Sequence, residues 1–165
     1  MKSGIRLGGI FVAESFDKYG NLKWKDDAHN KVVNVGIQKI LDCSFSGAAQ
    51  VGTWYMGLMA STAITSTYTS TDISEATEIS NANRPAYVET RSGQTLTNNA
   101  AKSTFTIDAD GTTVEGAFLI SSNTIGSTAG LLMCGAPFSG GTKVGDSGDK
   151  IIVTYTFVGS DDTSS

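Results

Sequence analysis

Eight short β-prone runs, separated by Ser, Thr, Asn and Gly, constrain the fold of this chain more than any other feature. Within them, hydrophobic residues either alternate with polar ones or form brief apolar stretches bounded by turn signals, as strands do. Many short strands at such spacing predict a mainly β fold, an antiparallel β-sandwich of jelly-roll-like type or a closed barrel, and we expect the sandwich. The predicted strands are residues 8–16, 21–27, 53–60, 85–90, 102–108, 113–121, 129–135 and 150–157.

Turn chemistry supports these strands. "DKYGN" at residues 17–21 combines an initiating Asp with a permissive Gly, and it predicts a hairpin of the first two strands. "DADG" at residues 108–111 predicts another turn, with Gly111 as the permissive residue. The apolar run at residues 53–60 is expected to be a central strand. In the last strand, one face is predicted to hold Ile151, Val153, Tyr155 and Phe157.

One stretch has helical rather than strand periodicity: "HNKVVNVGIQKILDCSFSG" at residues 29–47. It predicts a short α-helix near residues 35–45, with Asn34 as its N-cap. A helix this short needs packing to be stable, so we expect its apolar face to close one edge or one open end of the sandwich. The side chains predicted to form that face are Ile37, Ile40, Leu41 and Phe45.

The length of 165 residues predicts one domain, with a core large enough to be stable without disulfide bonds or a structural metal ion. We expect the sandwich at residues 8–158, an N-terminal arm at residues 1–7 and a flexible, solvated tail at residues 159–165. Residues 61–83 are Ser/Thr-rich and predict a long loop that either makes contacts or stays mobile.

Charge and hydropathy limit the partners. The net charge is −4 and only 17% of residues are charged, which argues against a nucleic-acid-binding protein. No apolar stretch reaches the length of about 18 residues that a membrane span needs, and no secretory signal is evident, so we expect no membrane partner and synthesis in a reducing cytoplasm. Cys43 and Cys134 sit in apolar contexts and are predicted to be free, buried thiols, with a disulfide between them as the alternative.

The motif most suggestive of catalysis is Gly145-Asp146-Ser147-Gly148, which resembles the nucleophile segment of chymotrypsin-like serine proteases. That family continues with Gly, whereas this chain has Asp149, and the sole histidine, His29, lacks the flanking residues of that family's base. A serine nucleophile needs a base and a group that orients the base. We therefore predict a glycine-rich turn leading into the last strand.

The metal and sugar candidates are equally weak. His29 with Asp26 or Asp27 offers too few ligands for zinc, so His29 is predicted to be an exposed residue at a strand end. Asp108 and Asp110 lie in a segment too short for an EF-hand and predict a turn. Four aromatic residues are candidates for a sugar-stacking platform, but core and sheet packing is the preferred interpretation. These are Trp24, Trp54, Tyr55 and Tyr87.

Several segments in a fixed order resemble a family of small virion proteins of tailed bacteriophages. They are "HNKVVNVGIQKILD", "VGTWYMGLMA", "RPAYVETRSGQTLTNNAAKSTFTI", "VEGAFLI" and "VGDSGDKIIVTYTF". Their order and spacing are kept over roughly residues 8–158. The chain departs from the pattern before the Asn-rich part, where "RPAY" and "VETR" replace the usual aromatic residue, which puts contacts there in doubt.

The resemblance implies a structural part of the particle: a cement or decoration protein on the capsid surface, with the β-sandwich or jelly roll such proteins often have. It also implies the major capsid protein as a partner, self-association as a homodimer or homotrimer, and location in the virion after synthesis in the host cytoplasm. It assigns no binding residue. The alternatives are a neck or tail component and a carbohydrate-binding or host-attachment module. We expect no enzymatic activity and assign no catalytic, cofactor or metal residue.

Overall fold

The computed structural model describes residues 4–161. Over that range the chain is mainly β, with antiparallel sheets and a single short α-helix, which confirms the predicted fold class. The jelly-roll arrangement of strands stays a prediction. The elements are β1 (Ile5–Phe16), β2 (Leu22–His29), β3 (Lys31–Val32), α1 (Asn34–Phe45), β4 (Tyr55–Met59), β5 (Thr90–Ser92), β6 (Thr95–Thr97), β7 (Ser103–Thr106), β8 (Thr112–Val114), β9 (Gly116–Ile120), β10 (Leu132–Pro137), β11 (Lys143–Gly145) and β12 (Lys150–Asp161).

Two antiparallel sheets form the body. The first has the order β2-β1-β12-β6-β5, with β7 also paired to β12, and the second has the order β3-β10-β9-β4. A short ladder of β8 with β11 stands apart. In the first sheet, alternate side chains of β12 are buried, and Tyr155 stacks on Phe11 of β1 with ring centroids 4.1 Å apart. The main core lies between the two sheets because β1 and β12 turn their apolar faces toward β9 and β10.

The second sheet is covered on both faces. All five residues of β9 are buried, a continuous run that only a strand with no solvent face can hold. Its outer face carries a second apolar cluster that includes Phe118, Ile120 and Leu132. Side chains of the long loop, Ile64 and Tyr68 among them, pack on this cluster. Residues 61–74 of the loop therefore form a third layer of the fold, whereas Ala76 and Ile79 further along it pack in the main core.

Helix α1 lies at the predicted residues, but the side of the helix that faces the sheet differs from the prediction. Its N-cap is Val33, with no side-chain cap hydrogen bond, so the Asn34 prediction is wrong by one residue. The helix approaches β10 through Gly36, where an added Cβ would lie 2.5 Å from the Met133 carbonyl oxygen. Residues 37, 41 and 45 lie about 100° further round the helix than 36, 40 and 44, so they turn away from the sheet.

The prediction that α1 closes the sandwich with its whole apolar face is therefore wrong. Ile40 is partly buried against the main core. The other three predicted face residues are exposed: Ile37 by 36%, Leu41 by 50% and Phe45 by 82%. The same geometry leaves Cys43 half-buried, whereas Cys134 is fully buried, and both cysteines are free thiols.

Several strand bounds also differ from prediction. The segment 85–90 makes only an isolated bridge, from Ala86 to Tyr55, and the regular strand there begins at Thr90. Strand β4 lies at the end of its sheet rather than at the centre, with bridges along its outer side. The predicted strand 113–121 divides into β8 and β9.

Both ends of the described range are part of the first sheet. Strand β1 pairs with β12 from Ile5 opposite Asp161 to Phe16 opposite Lys150. Residues 5–7, predicted as arm, and residues 159–161, predicted as tail, therefore form a regular ladder. The rest of the predicted arm and tail, apart from residue 4, lies outside the described residues. Among residues 4–161, no helix has the length and hydropathy needed to cross a bilayer.

Candidate functional site

A groove of about 540 Å³ opens where the core meets the surface beside α1. Side chains from both sheets form its floor, and α1, residue 54 and β12 form its walls. We call this feature the helix groove and define it by six residues. They are Leu119, Met133 and Tyr155 in the floor, and Ile40, Trp54 and Phe157 in the walls. Its size is within the range of about 300–1,000 Å³ typical of ligand pockets, and its lining is mainly apolar.

The segment after α1 folds back and shapes one wall of the helix groove. Lys39 Nζ donates a hydrogen bond to the Ala49 carbonyl oxygen at 2.8 Å, and Cys43 Sγ donates to the same oxygen at 3.4 Å. The Ala48 amide donates to the Asp42 carbonyl oxygen at 3.2 Å, within the last turn of the helix. These contacts hold residues 46–52 against the helix, so the groove does not collapse onto the core.

A buried tyrosine hydroxyl lies below the groove floor and is paired within the protein, although Asn30 Oδ1 beside it is buried without a hydrogen-bond partner among residues 4–161. Tyr155 Oη accepts hydrogen bonds from Asn30 Nδ2 at 2.7 Å and from Cys134 Sγ at 3.2 Å. Burial raises the pKa of the Cys134 thiol to about 11 and also raises the pKa values of Tyr87 and Tyr155. All three groups therefore stay protonated near neutral pH, and Cys134 is a packing residue rather than a nucleophile.

The rim of the helix groove carries one charge of each sign. Lys39 of α1 stands on one side, and Glu89, in the segment before β5, lines the groove as well. Lys39 uses one of its three ammonium donors on Ala49, so two remain for other partners. The groove is thus apolar inside and dipolar at its mouth.

The Gly145-Asp146-Ser147-Gly148 motif is the predicted turn into the last strand. Asp149 Oδ2 accepts hydrogen bonds from the Asp146 amide at 2.9 Å and from Lys23 Nζ at 2.6 Å. The Ser147 amide donates to Asp110 Oδ1 at 2.8 Å. His29 lies six residues beyond Lys23 on β2, about 20 Å away at about 3.3 Å per residue. The structure therefore does not bring Ser147 and His29 together.

The residues considered as metal ligands also form no common site. His29 is exposed at the end of β2, as predicted. Asp26 is buried and anchors the loop after β10, while Asp27 is exposed. Asp108 and Asp110 lie in the predicted turn between β7 and β8. Within residues 4–161, no three His, Cys, Asp or Glu side chains are grouped so as to hold a metal ion.

The four aromatic candidates form no common platform. Trp24 packs on Phe138 with centroids 5.7 Å apart, and Tyr55 belongs to β4. Trp54 and Tyr87 both line the helix groove, although Tyr87 is buried. Packing against the core is thus the main role of Trp24, Trp54 and Tyr87, and Trp54 also shapes the groove wall.

A buried ion pair fixes the long loop, and the sequence reasoning did not find it. Arg84 Nε and Nη2 lie 2.8 and 2.7 Å from the two carboxylate oxygens of Glu75. Arg84 also donates to the Ser122 and Ser127 carbonyl oxygens, and Glu75 accepts from the Gly126 amide at 2.6 Å. The pair therefore fastens the end of the loop to residues 122–127. A lone Arg before Pro85 in the sequence gives no signal of this partner.

Compared with known proteins, the chain matches no protein-family model, no curated protein and no solved structure.

Proposed function

We propose that this chain is a non-enzymatic structural protein of a tailed-bacteriophage particle, a cement or decoration protein that binds the outer surface of the capsid. It would stabilise the lattice by holding neighbouring copies of the major capsid protein together. The resemblance of the ordered segments across roughly residues 8–158 to small virion proteins supports this proposal. One structural observation carries it further: a fixed, nearly uncharged surface loop.

That loop is residues 61–74, which we call the Ser/Thr platform. Nine of its fourteen residues are Ser or Thr, and Asp72 is its one charged residue. The Asp72 carboxylate accepts hydrogen bonds from the amide and hydroxyl of Thr69, at 2.8 and 2.9 Å. Its charge is thereby used inside a local turn. The platform thus presents hydroxyl groups and little unpaired charge.

The platform is held in place from beneath and from its end. Ile64, Tyr68 and Ile73 pack on the outer apolar cluster of the second sheet. Ser70 Oγ donates to the Thr128 carbonyl oxygen at 2.6 Å, and the Arg84–Glu75 pair fastens the chain just beyond the platform. A surface that is already ordered loses less conformational entropy when a partner binds.

A fixed hydroxyl surface suits repeated docking on a lattice. Hydroxyl groups exchange hydrogen bonds with water for hydrogen bonds with a partner at little net change, whereas buried unpaired charges are strongly unfavourable. Each contact can then be weak, because a protein that bridges neighbouring subunits gains from the high effective concentration of its second contact.

The test is binding to capsids purified from the phage that encodes the chain, after removal of this protein. We expect Thr62→Glu/Ala63→Glu, which places two carboxylates on the Ser/Thr platform, to reduce capsid occupancy at least about tenfold, equivalent to about 1.4 kcal/mol. Cosedimentation over a range of protein concentrations measures the occupancy. The matched control is Thr104→Glu/Thr113→Glu, which adds the same charge at exposed positions of β7 and β8.

Electron microscopy of the particle supplies the second measurement. A copy number set by capsid geometry supports the cement role. Six or twelve copies at one vertex would instead favour a neck or tail component, and glycan binding without capsid binding would favour a host-attachment module. Equal occupancy for both double variants would remove the platform as the contact surface.

A further inference from the structure

The helix groove presents an unpaired carboxylate beside its apolar interior. Of the described residues that line it, two are charged: Lys39 on α1 and Glu89 in the segment before β5. Lys39 Nζ donates a hydrogen bond to the Ala49 carbonyl oxygen at 2.8 Å. No hydrogen bond or ion pair within residues 4–161 uses the Glu89 carboxylate. The negative charge of the groove is therefore the one left without a polar contact.

Aromatic rings lie close to this carboxylate. Tyr87 and Tyr155 have ring centroids 5.7 Å apart, and the Phe157 centroid lies 6.3 Å from that of Tyr155. Burial raises the pKa of Tyr87, and the negative charge of Glu89 adds to this effect, so the carboxylate acts on the ring cluster. The Tyr87 hydroxyl donates to the Tyr155 carbonyl oxygen at 3.3 Å, and the Tyr155 hydroxyl is paired beneath the floor. The groove thus offers a ligand ring carbon atoms rather than free tyrosine hydroxyl groups.

We propose that the helix groove binds a small organic amine, with the apolar body of the amine on the groove floor and its protonated amino group beside Glu89. An unpaired carboxylate and the faces of aromatic rings both attract a cation. The volume of about 540 Å³ suits a whole small molecule. The body must be apolar, because Leu119 and Met133 in the floor offer no polar side-chain atom that hydrogen-bonds strongly. The site is separate from the Ser/Thr platform and does not depend on the proposed function.

An anionic ligand of the same shape is disfavoured. It would bring a negative charge next to Glu89 and to the negative faces of the aromatic rings. Lys39 would attract it from the α1 wall through the two ammonium donors that Ala49 does not use. The charge that the groove prefers in its ligand is therefore the property that tests the proposal.

The test compares three probes that share one alkyl chain and differ in charge: hexylammonium, 1-hexanol and hexanoate. Nuclear magnetic resonance titration of the full chain at about pH 7 measures each affinity, with shifts expected at the residues that line the groove. We expect hexylammonium to bind at least about fivefold more tightly than hexanoate, with hexanol between them.

Glu89→Gln tests the named contact. It should weaken hexylammonium binding at least about threefold and leave hexanol binding unchanged, because only the charge is removed. Asp108→Asn is the matched control, since Asp108 is an exposed carboxylate in the turn between β7 and β8. It should bind all three probes as the original chain does.

Cys43 supplies a second measurement at the groove itself. Its thiol is half-buried and lines the groove, whereas Cys134 is fully buried. Hexylammonium should therefore slow the alkylation of Cys43 by iodoacetamide more than hexanoate does at the same concentration. Peptide mass mapping identifies the cysteine that is labelled, and in Glu89→Gln the protection by hexylammonium should fall to that by hexanol.

Three results would overturn the inference. The first is hexanoate binding as tightly as hexylammonium, which would make Lys39 the dominant charge. The second is a hexylammonium affinity that Glu89→Gln leaves unchanged. The third is the absence of shifts at the groove residues with hexylammonium at about 10 mM, which corresponds to less than about 3 kcal/mol of binding free energy.

Discussion

Asp26 is a buried carboxylate on β2 whose main partners belong to the segment after β10. Its oxygens accept hydrogen bonds from Ser139 Oγ at 2.7 Å and the Gly140 amide at 2.9 Å, and Lys143 Nζ lies 2.8 Å away. Burial acts to raise the pKa of Asp26, but Lys143, Ser139 and Gly140 outweigh it and lower the pKa to about 2. One side chain thus holds an irregular segment to the sheet.

This pKa predicts how stability depends on pH. Because the folded pKa lies below the ordinary value of 3.8, the contribution of Asp26 is fully present above about pH 5 and is lost as the pH falls toward 2. A difference of nearly two pKa units corresponds to about 2 kcal/mol. Asp26→Asn should remove that part of the acid dependence. Urea unfolding at about pH 6 and about pH 2 measures it.

Asp27→Asn is the control for this prediction, since Asp27 is the exposed neighbour on the same strand. It should lose stability with acid as the original chain does. If Asp26→Asn and the original chain lost equal free energy between the two pH values, the contacts of Asp26 would not be the cause.

Arg84 is the second residue with a decisive contact. It is 3% exposed, and its guanidinium group lies over the Phe118 ring, 5.5 Å from the centroid. Arg84→Met should lower the free energy of unfolding by about 3–5 kcal/mol, because Glu75 is left buried and unpaired. Chemical denaturation measures the change.

The double variant Arg84→Met/Glu75→Gln tests the reason. It should be less destabilised than Arg84→Met alone, since no buried charge is left without a partner. Glu75→Gln is measured alone as well. If the losses of stability in Arg84→Met and Glu75→Gln add up to the loss in the double variant, the pair does not act as a unit.

At the scale of elements, α1 is held to the second sheet by close backbone contact rather than by a wide apolar face. Gly36→Ala should lower the free energy of unfolding by about 1–3 kcal/mol, because a Cβ at this position meets the Met133 carbonyl oxygen. In an exposed helix the same change stabilises by up to about 1 kcal/mol. Thermal or urea unfolding measures whether Gly36→Ala lowers or raises the free energy of unfolding.

Gly52→Ala is the matched control, because no atom lies within 4 Å of a Cβ placed there. It should change stability by less than about 0.5 kcal/mol. If Gly36→Ala proved more stable than the original chain, α1 would not approach β10 as closely as described.

The elements also show what the sequence can predict. The alternation of Ile151, Val153 and Tyr155 was interpreted correctly because β12 has one buried face and one more open face. The period of its apolar residues locates helix α1, but period alone does not tell a stripe that faces the core from one that is exposed. Both have the same spacing, and only Gly36 marks the contact side.

Other features of the fold had no usable signal. The Arg84–Glu75 pair joins residues nine apart through a loop whose path the sequence does not define. The helix groove combines residues from 40 to 157, so no local pattern reports it. The Ser/Thr-rich composition of residues 61–83 predicts a loop that makes contacts or stays mobile. Its few apolar residues do not show which surface they cover.

At the scale of the whole molecule, the protein has three layers: the six-stranded sheet, the four-stranded sheet, and an outer layer formed by residues 61–74. The outer layer carries the proposed contact surface, the Ser/Thr platform. The six-stranded sheet supplies the opposite wall of the core and the ladder of the chain ends. This division lets contact surfaces change without disturbing the β1–β12 ladder.

That ladder also determines where an added protein would emerge. Ile5 and Asp161 are directly opposite each other on adjacent strands, which lie about 5 Å apart. A cargo joined before Ile5 and one joined after Asp161 would therefore leave the molecule side by side. Joining the same cargo before Ile5 or after Asp161 would therefore place it at the same position on the molecule.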